Sequence, residues 1–520
     1  MSHAAGDAAP DTARGAAPRA GSSAVGRAVA RAARAVVRAR LFVGIALTYA
    51  YFYQGGDPNQ VTRVLLARAI VERRAPDITP DQRLTVDKAI VGSRVFADKA
   101  PGVSFAAVPV VALLDAADRA FDVPDDRGAR RARMHALVVA IAGTAGVAAA
   151  WLVWTTLVLL GASRRIASLT TFAYAFGTLA FPFSTVLFGH QVAAALAMAC
   201  FHRYARERTR AAAPSPGASA GVGALAASAI VVEYPAAILV GVVGAAFLAR
   251  AWRRGGLARA IGFGALGAAP PLALHGAYLA WAFGSPFDLA YRHVVDPVFL
   301  SHTSTGLLGV GAPTASALRG ALVSPFRGLF FFCPVLALTF AGLARWLADA
   351  TVRAEAVVAA AAVVASTWFC CSYYAWHGDL SLGPRHLVPA LPFFAMPIAF
   401  FARDGAARAA LVALLALVSA AIVLACTAVL VHLPTGVPNP LYDIVWPALV
   451  RGDVAINRMD PYASVLHADA ADNLGRMAGL GARASVLAPL AAIVLLLASY
   501  APPGARRRGE ARARRAEGSA

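Results

Sequence analysis

Residues 49–105 decide how this chain is read: YAYFYQGGDPNQ at 49–60, an arginine-rich segment, then FADKAPGVSF at 96–105. The stretch directly follows the first apolar run. It combines an acid just past that run (Asp57), an amphipathic segment at 61–71 (VTRVLLARAIV) and an Asp-Lys-Ala-Pro-Gly turn at 98–102. An acid, an amphipathic segment and a rigid turn beside a hydrophobic helix describe a loop held against a membrane surface.

Outward from this loop the chain repeats one pattern. Apolar runs of about 20 residues, the length that crosses a ~30 Å hydrocarbon core, recur to residue 501. Of the 520 residues 59% are hydrophobic and 15% charged, and the mean hydropathy is +0.61. A formal charge of +20 can signal nucleic acid, but here the arginines lie between apolar runs rather than on one face. That is the pattern of cytoplasmic loops obeying the positive-inside rule, so nucleic acid is not an expected partner. The five cysteines (Cys200, Cys333, Cys370, Cys371, Cys426) are odd in number, lack metal-ligand spacing and sit mostly inside apolar runs, as packing residues do.

Residues 1–35, rich in Ala, Gly, Pro and Arg, read as a disordered basic cytoplasmic tail. A first, uncleaved helix follows at 36–53, because no small-x-small site stands behind it. The first extracytoplasmic loop is 54–133. Within it, 102–117 (GVSFAAVPVVALLDAA) reads either as a short span or as a second surface helix. The surface reading keeps the arginine clusters from 164 to 408 and the 502–520 tail inside, and it is preferred for that reason. The other spans are expected at 134–160, 166–186, 188–204, 222–232, 235–249, 260–283, 329–347, 355–375, 387–402, 409–431 and 483–501, with 432–482 an external loop. The fold class is therefore all-α: a polytopic transmembrane bundle of about twelve spans, with both termini cytoplasmic and amphipathic surface helices in the first outside loop. The module at 36–431 carries the candidate chemistry.

That chemistry gathers beside helix ends. Asp57 lies about four residues past the first helix, although Gly-Gly-Asp-Pro-Asn also reads as a turn with Asp57 capping the next helix. Asp98 and Lys99 put an acid and a scarce lysine at a rigid turn, whereas Asp87-Lys88 reads as solvated surface. His190 stands at an outside turn, and Glu233 lies between two short apolar runs at depth, where an acid must face a water-filled cavity. SPFRGLF at 324–330 places Arg327 at a helix entry, and YAWHGD with GPRH puts His377, Asp379, Arg385 and His386 into ten residues. Arginine's planar fork suits phosphate, while interfacial anchoring also explains arginine and tryptophan at these boundaries. No P-loop, nucleophile elbow or His-Glu-x-x-His segment is present.

In the order and loop placement of these motifs the chain resembles the GT-C superfamily of integral-membrane glycosyltransferases over about 41–402. It is most similar to bacterial relatives of the protein O-mannosyltransferases and the lipid A aminoarabinose transferases. The family has an acid after its first helix, matched by Asp57 with Pro58 in place of a second carboxylate. A Lys-Pro-Pro turn is matched by Lys99-Ala100-Pro101, and a second-loop acid is replaced by His190. The resemblance implies an inverting transferase using a polyprenyl-phosphate sugar in the bacterial inner membrane, with an extracytoplasmic acceptor and an optional divalent metal. Asp57 would be the general base; Asp98, Lys99, His190, Glu233, Arg327, His377, Asp379, Arg385 and His386 would bind substrate and phosphate. A twelve-helix permease or flippase is the alternative, and a non-catalytic scaffold a third.

Overall fold

The computed structural model describes residues 39–303, 309–456 and 471–500. Both expected tails and part of the 432–482 loop lie outside the described residues.

The chain enters through α1 (Ala39–Tyr51), which runs into the two-residue strand β1 (Phe52–Tyr53). Helix α2 (Pro58–Arg68) starts where the sequence signals a start: Pro58 occupies its first turn, and Asp57 Oδ1 accepts from the backbone N–H groups of Asn59 and Gln60. It ends in a widened turn at Ala69–Arg73, closed by left-handed Arg74. A hairpin of β2 (Lys88–Val91) and β3 (Arg94–Ala97) turns on Gly92 at φ +60 and leads to α3 (Gly102–Ala120). Gly102 has no alternative: a Cβ there would stand 2.7 Å from the backbone of Val231 and Val232. Although 61–71 reads as amphipathic, α2 buries residues on nearly every side, among them Val61, Arg63 and Leu66. A small satellite core of Leu65, Leu66, Ile78 and Phe96 against Tyr278 and Phe283 covers it.

The bundle continues with α4 (Gly128–Leu159), α5 (Arg164–Gly177), α6 (Gly189–Arg206), α7 (Pro216–Val232), α8 (Ala236–Arg253) and α9 (Leu257–Phe283). It is completed by α10 (Pro334–Ala348), α11 (Arg353–Ser372), α12 (Arg385–Ala402), α13 (Ala406–Val429), the strand β4 (Asp472–Asn473) and α14 (Ala482–Ala498). Among the described residues six helices (α4, α8, α9, α11, α12 and α13) are long and apolar enough to cross a membrane, and α1, α7, α10 and α14 are shorter apolar helices. The all-α multi-pass bundle read from the sequence is what the chain forms. Several boundaries move: α5 ends at Gly177, α7 starts at Pro216, and α4 begins within the expected first loop, where Asp126 caps Ala129 N and Arg133 pairs with Asp118 and Asp125.

Two features position the rest. Helix α14 lies antiparallel along α1: Tyr51 donates to Ser485 O at 2.7 Å, Leu496 abuts Gly44, Arg40 donates to Ser499 Oγ at 3.0 Å, and β4 pairs with β1. Helices α7 and α9 meet on small residues. A Cβ on Gly223 would stand 1.9 Å from Gly264 O, and one on Gly267 2.0 Å from Ala220 O. Such backbone approach is how helices gain contact where lipid gives no hydrophobic drive. Gly223→Leu should therefore push α7 from α9 and lower the thermal midpoint of the detergent-solubilised protein; an unchanged midpoint would refute this packing.

Candidate functional site

The loops at one end of the bundle bring together residues far apart in sequence. Asp57 caps α2 and is 3% exposed. Its Oδ2 accepts from Gln60 Nε2 and lies 3.2 Å from His432 Nε2, just past the end of α13. Gln60 is itself fixed, since its Oε1 accepts from Leu187 N at 2.8 Å. Burial alone raises the Asp57 carboxyl, but the His432 charge and the hydrogen bonds from His432 and Gln60 outweigh it and hold the group below its ordinary value. Both Asp57 carboxylate oxygens are thus engaged. A depressed acid contributes stability above its unfolded pKa and loses it as pH falls through the folded one. Asp57→Asn should flatten the acid limb of the stability-versus-pH curve; an acid limb as steep as wild type's would refute the pairing.

Next to it, Lys99 Nζ lies 2.8 Å from Asp98 Oδ2 and 3.0 Å from Asp87 Oδ2. Asp87 is therefore a half-buried partner of Lys99, not the freely solvated surface its sequence suggested. Burial pushes Asp98 up to about 6, with Lys99 opposing and Asp87 adding to the rise. Burial draws Lys99 down, and the two carboxylates more than reverse it. Asp98 Oδ1 is buried with no hydrogen-bond partner.

Glu233 sits at the α7–α8 junction with its Oε2 buried, unpartnered and 3.8 Å from His190 Nδ1 in the first turn of α6. Gly189 permits this approach, since a Cβ there would meet Glu233 Oε2 at 2.7 Å. The cations whose fields reach Glu233 are Arg63, Arg385 and Lys99, drawn from α2, the start of α12 and the turn before α3. Both His190 ring nitrogens lack partners, as does Nε2 of His386, whose ring lies 6.0 Å from that of His190. From Glu233 outward, aromatic rings follow in sequence: Tyr234 to Tyr291 at 5.5 Å, Tyr291 to Phe299 at 5.7 Å, and Phe299 to Tyr374 at 6.2 Å. Tyr374 to Tyr373 at 4.8 Å and Tyr373 to His386 at 5.0 Å close the arc back toward His190.

Arg385 has a buried Nε without a partner and an Nη2 3.7 Å from Asp379 Oδ2. Asp379 is left-handed and over half exposed, and its N–H donates to His377 Nδ1 at 3.0 Å. Arg327, expected at a phosphate, has its terminal nitrogens engaged by backbone and its buried Nε without a partner. Its guanidinium is buried and donates to the carbonyls of Phe326, Asp379, Leu433 and Pro434 at 2.8–3.2 Å. It pins the 376–386 loop to the segment bearing His432, and burial lowers its pKa to about 10. Arg327→Leu leaves those carbonyls without their charged donor and should cost about 3 kcal/mol of stability. Denaturant titration checks this, and a loss below about 1 kcal/mol would refute the clamp.

Sequence reasoning missed two residues. Arg63 was passed over inside an amphipathic pattern, yet it is 3% exposed; Asn59 Oδ1 and Ala100 O hold its Nε and Nη1 at 3.1 and 3.2 Å. His432 carried the signal used for Asp57, a polar residue just past a helix exit, but its partner is 375 positions away in the chain. Among the described residues no three of His, Cys, Asp and Glu gather as metal ligands.

The fold defines a multi-pass membrane protein with a buried charged cluster at one end of its helices. No protein-family model matches the chain, and no curated protein does. Among solved structures it is similar to ArnT from Cupriavidus metallidurans in the apo state, at 14% identity and TM-score 0.49, covering 90% of this chain and 76% of that one. It is also similar to the same protein bound to undecaprenyl phosphate, at 15% identity and TM-score 0.46, covering 91% of this chain and 76% of that one.

Proposed function

We propose that the protein transfers a sugar from a polyprenyl-phosphate donor to the hydroxyl of an extracytoplasmic acceptor (glycolipid, glycan or protein) in a bacterial plasma membrane. The observation that carries this is the convergence of Arg63, Lys99 and Arg385 on Glu233, a buried carboxylate whose Oε2 has no partner. A transferase needs a carboxylate to take the acceptor's proton and cations to receive the departing phosphate. Glu233 suits the first task better than Asp57, whose oxygens are occupied. Arg385 and Arg63, with unengaged donors, suit the second, while Lys99 is balanced by two acids. The acceptor oxygen attacks the anomeric carbon as the bond to phosphate oxygen breaks, and inversion follows from that single displacement. The aromatic arc offers faces against which a sugar ring packs. Asp57 and His432 serve as positioning residues that fix α2, and with it Arg63.

The test is reconstitution in liposomes with radiolabelled polyprenyl-phosphate sugars and cell-envelope acceptor fractions. Release of polyprenyl phosphate together with a labelled product is expected. Movement of the donor across the bilayer without covalent transfer would overturn the reading in favour of a flippase.

A further inference from the structure

A large hollow lies away from this site. A groove of about 1520 Å³ opens on the outside of the bundle between α1, α4, the start of α5 and the end of α14. It follows α1 from Ala39 to Ala50, eleven steps or roughly 16 Å at 1.5 Å per residue. That is about half of a ~30 Å hydrocarbon core, the depth of one leaflet. Small residues (Ala46, Ala50, Gly143, Ala148) hollow it out and Trp151 and Trp154 wall it.

Its polar end is made of Arg40, Arg164 and Arg165, with Tyr500 beside them. Arg40 is held by Ser499 and over the Tyr500 ring at 4.4 Å. Arg164 and Arg165 are exposed and make no hydrogen bond or ion pair among the described residues. Both occupy the first turn of α5, the positive end of its dipole, where each cation is unfavourable until an anion joins it. The positive-inside rule accounts for arginines at this level; it does not account for an apolar trough one leaflet deep leading away from them. The polar end lies at the far ends of α1 and α5 from Asp57 and His190, so this groove is not part of the candidate active site.

We infer that this groove binds one anionic glycerophospholipid, its phosphate on Arg164 and Arg165 and one acyl chain along α1. The protein is placed in nanodiscs of phosphatidylethanolamine containing one-tenth phosphatidylglycerol, then released and weighed by native mass spectrometry. Wild type is expected to retain one phosphatidylglycerol. R164Q/R165Q should reduce the retained fraction at least tenfold. A46F, a substitution at an exposed position, fills the trough and should do the same with the arginines intact. Equal retention of both lipids by wild type, or undiminished phosphatidylglycerol on either variant, would overturn the assignment. Sugar transfer does not enter the readout, so failure here and failure of the proposed reaction are separately visible.

Discussion

Glu233→Gln is expected to lower sugar transfer by about 10³-fold, the middle of the range for a lost general base. The substitution is nearly isosteric and keeps contact with Gly189, so thermal stability should stay close to wild type. The amide cannot take a proton at physiological pH, while Arg63, Arg385 and Lys99 still draw the donor phosphate in. The loss should therefore appear in kcat, with the donor KM little changed. Asp57→Asn is the informative companion. If Asp57 positions α2, its replacement loses activity through stability and KM; if Asp57 is the base, the two variants exchange signatures. Wild-type turnover in Glu233→Gln would remove Glu233 from catalysis.

Arg385→Lys should lower kcat/KM for the donor by about 10–100-fold, as expected when a charge-assisted hydrogen bond of ~1.5–3 kcal/mol is lost. Charge is conserved, so only the forked donor geometry is tested. The buried Nε without a partner and the distant Asp379 carboxylate leave this guanidinium with donors to offer. Arg327 differs in its terminal nitrogens, which donate to four backbone carbonyls, although its Nε too is buried without a partner. A variant with unchanged KM and kcat would show that the phosphate rests elsewhere.

Helix positions were legible because lipid demands long apolar runs, and the runs at 260–283, 355–375 and 409–431 became α9, α11 and α13 with shifts of a few residues. Pro58 and Asp57 announced the start of α2 in the same way. The site was legible only in part, because its members were seen as separate helix-end residues. Glu233 stood out because an acid at depth needs a reason, and Lys99 because lysine is scarce in this chain. Arg63 escaped because one arginine per helical turn is ordinary on an amphipathic face, and only tertiary packing shows that this turn is buried. Arg327 misled because a helix-entry arginine looks the same whether it awaits a phosphate or staples two loops. Asp87 was hidden likewise, since a local Asp-Lys pair gives no hint that a different lysine claims the acid.

The contact of α14 with the whole length of α1 has a consequence for biogenesis. Helix α1 acquires this flank only when α14 emerges from the ribosome, more than four hundred residues later. Until then α1 must wait in the membrane with one side against lipid or an insertion chaperone, and β1 without the strand that squares it. A chain stopped before residue 482 would carry every charged group of the site yet lack the brace that sets the angle of α1. Quality control that surveys unpaired transmembrane segments would then remove a polypeptide whose charged cluster is complete.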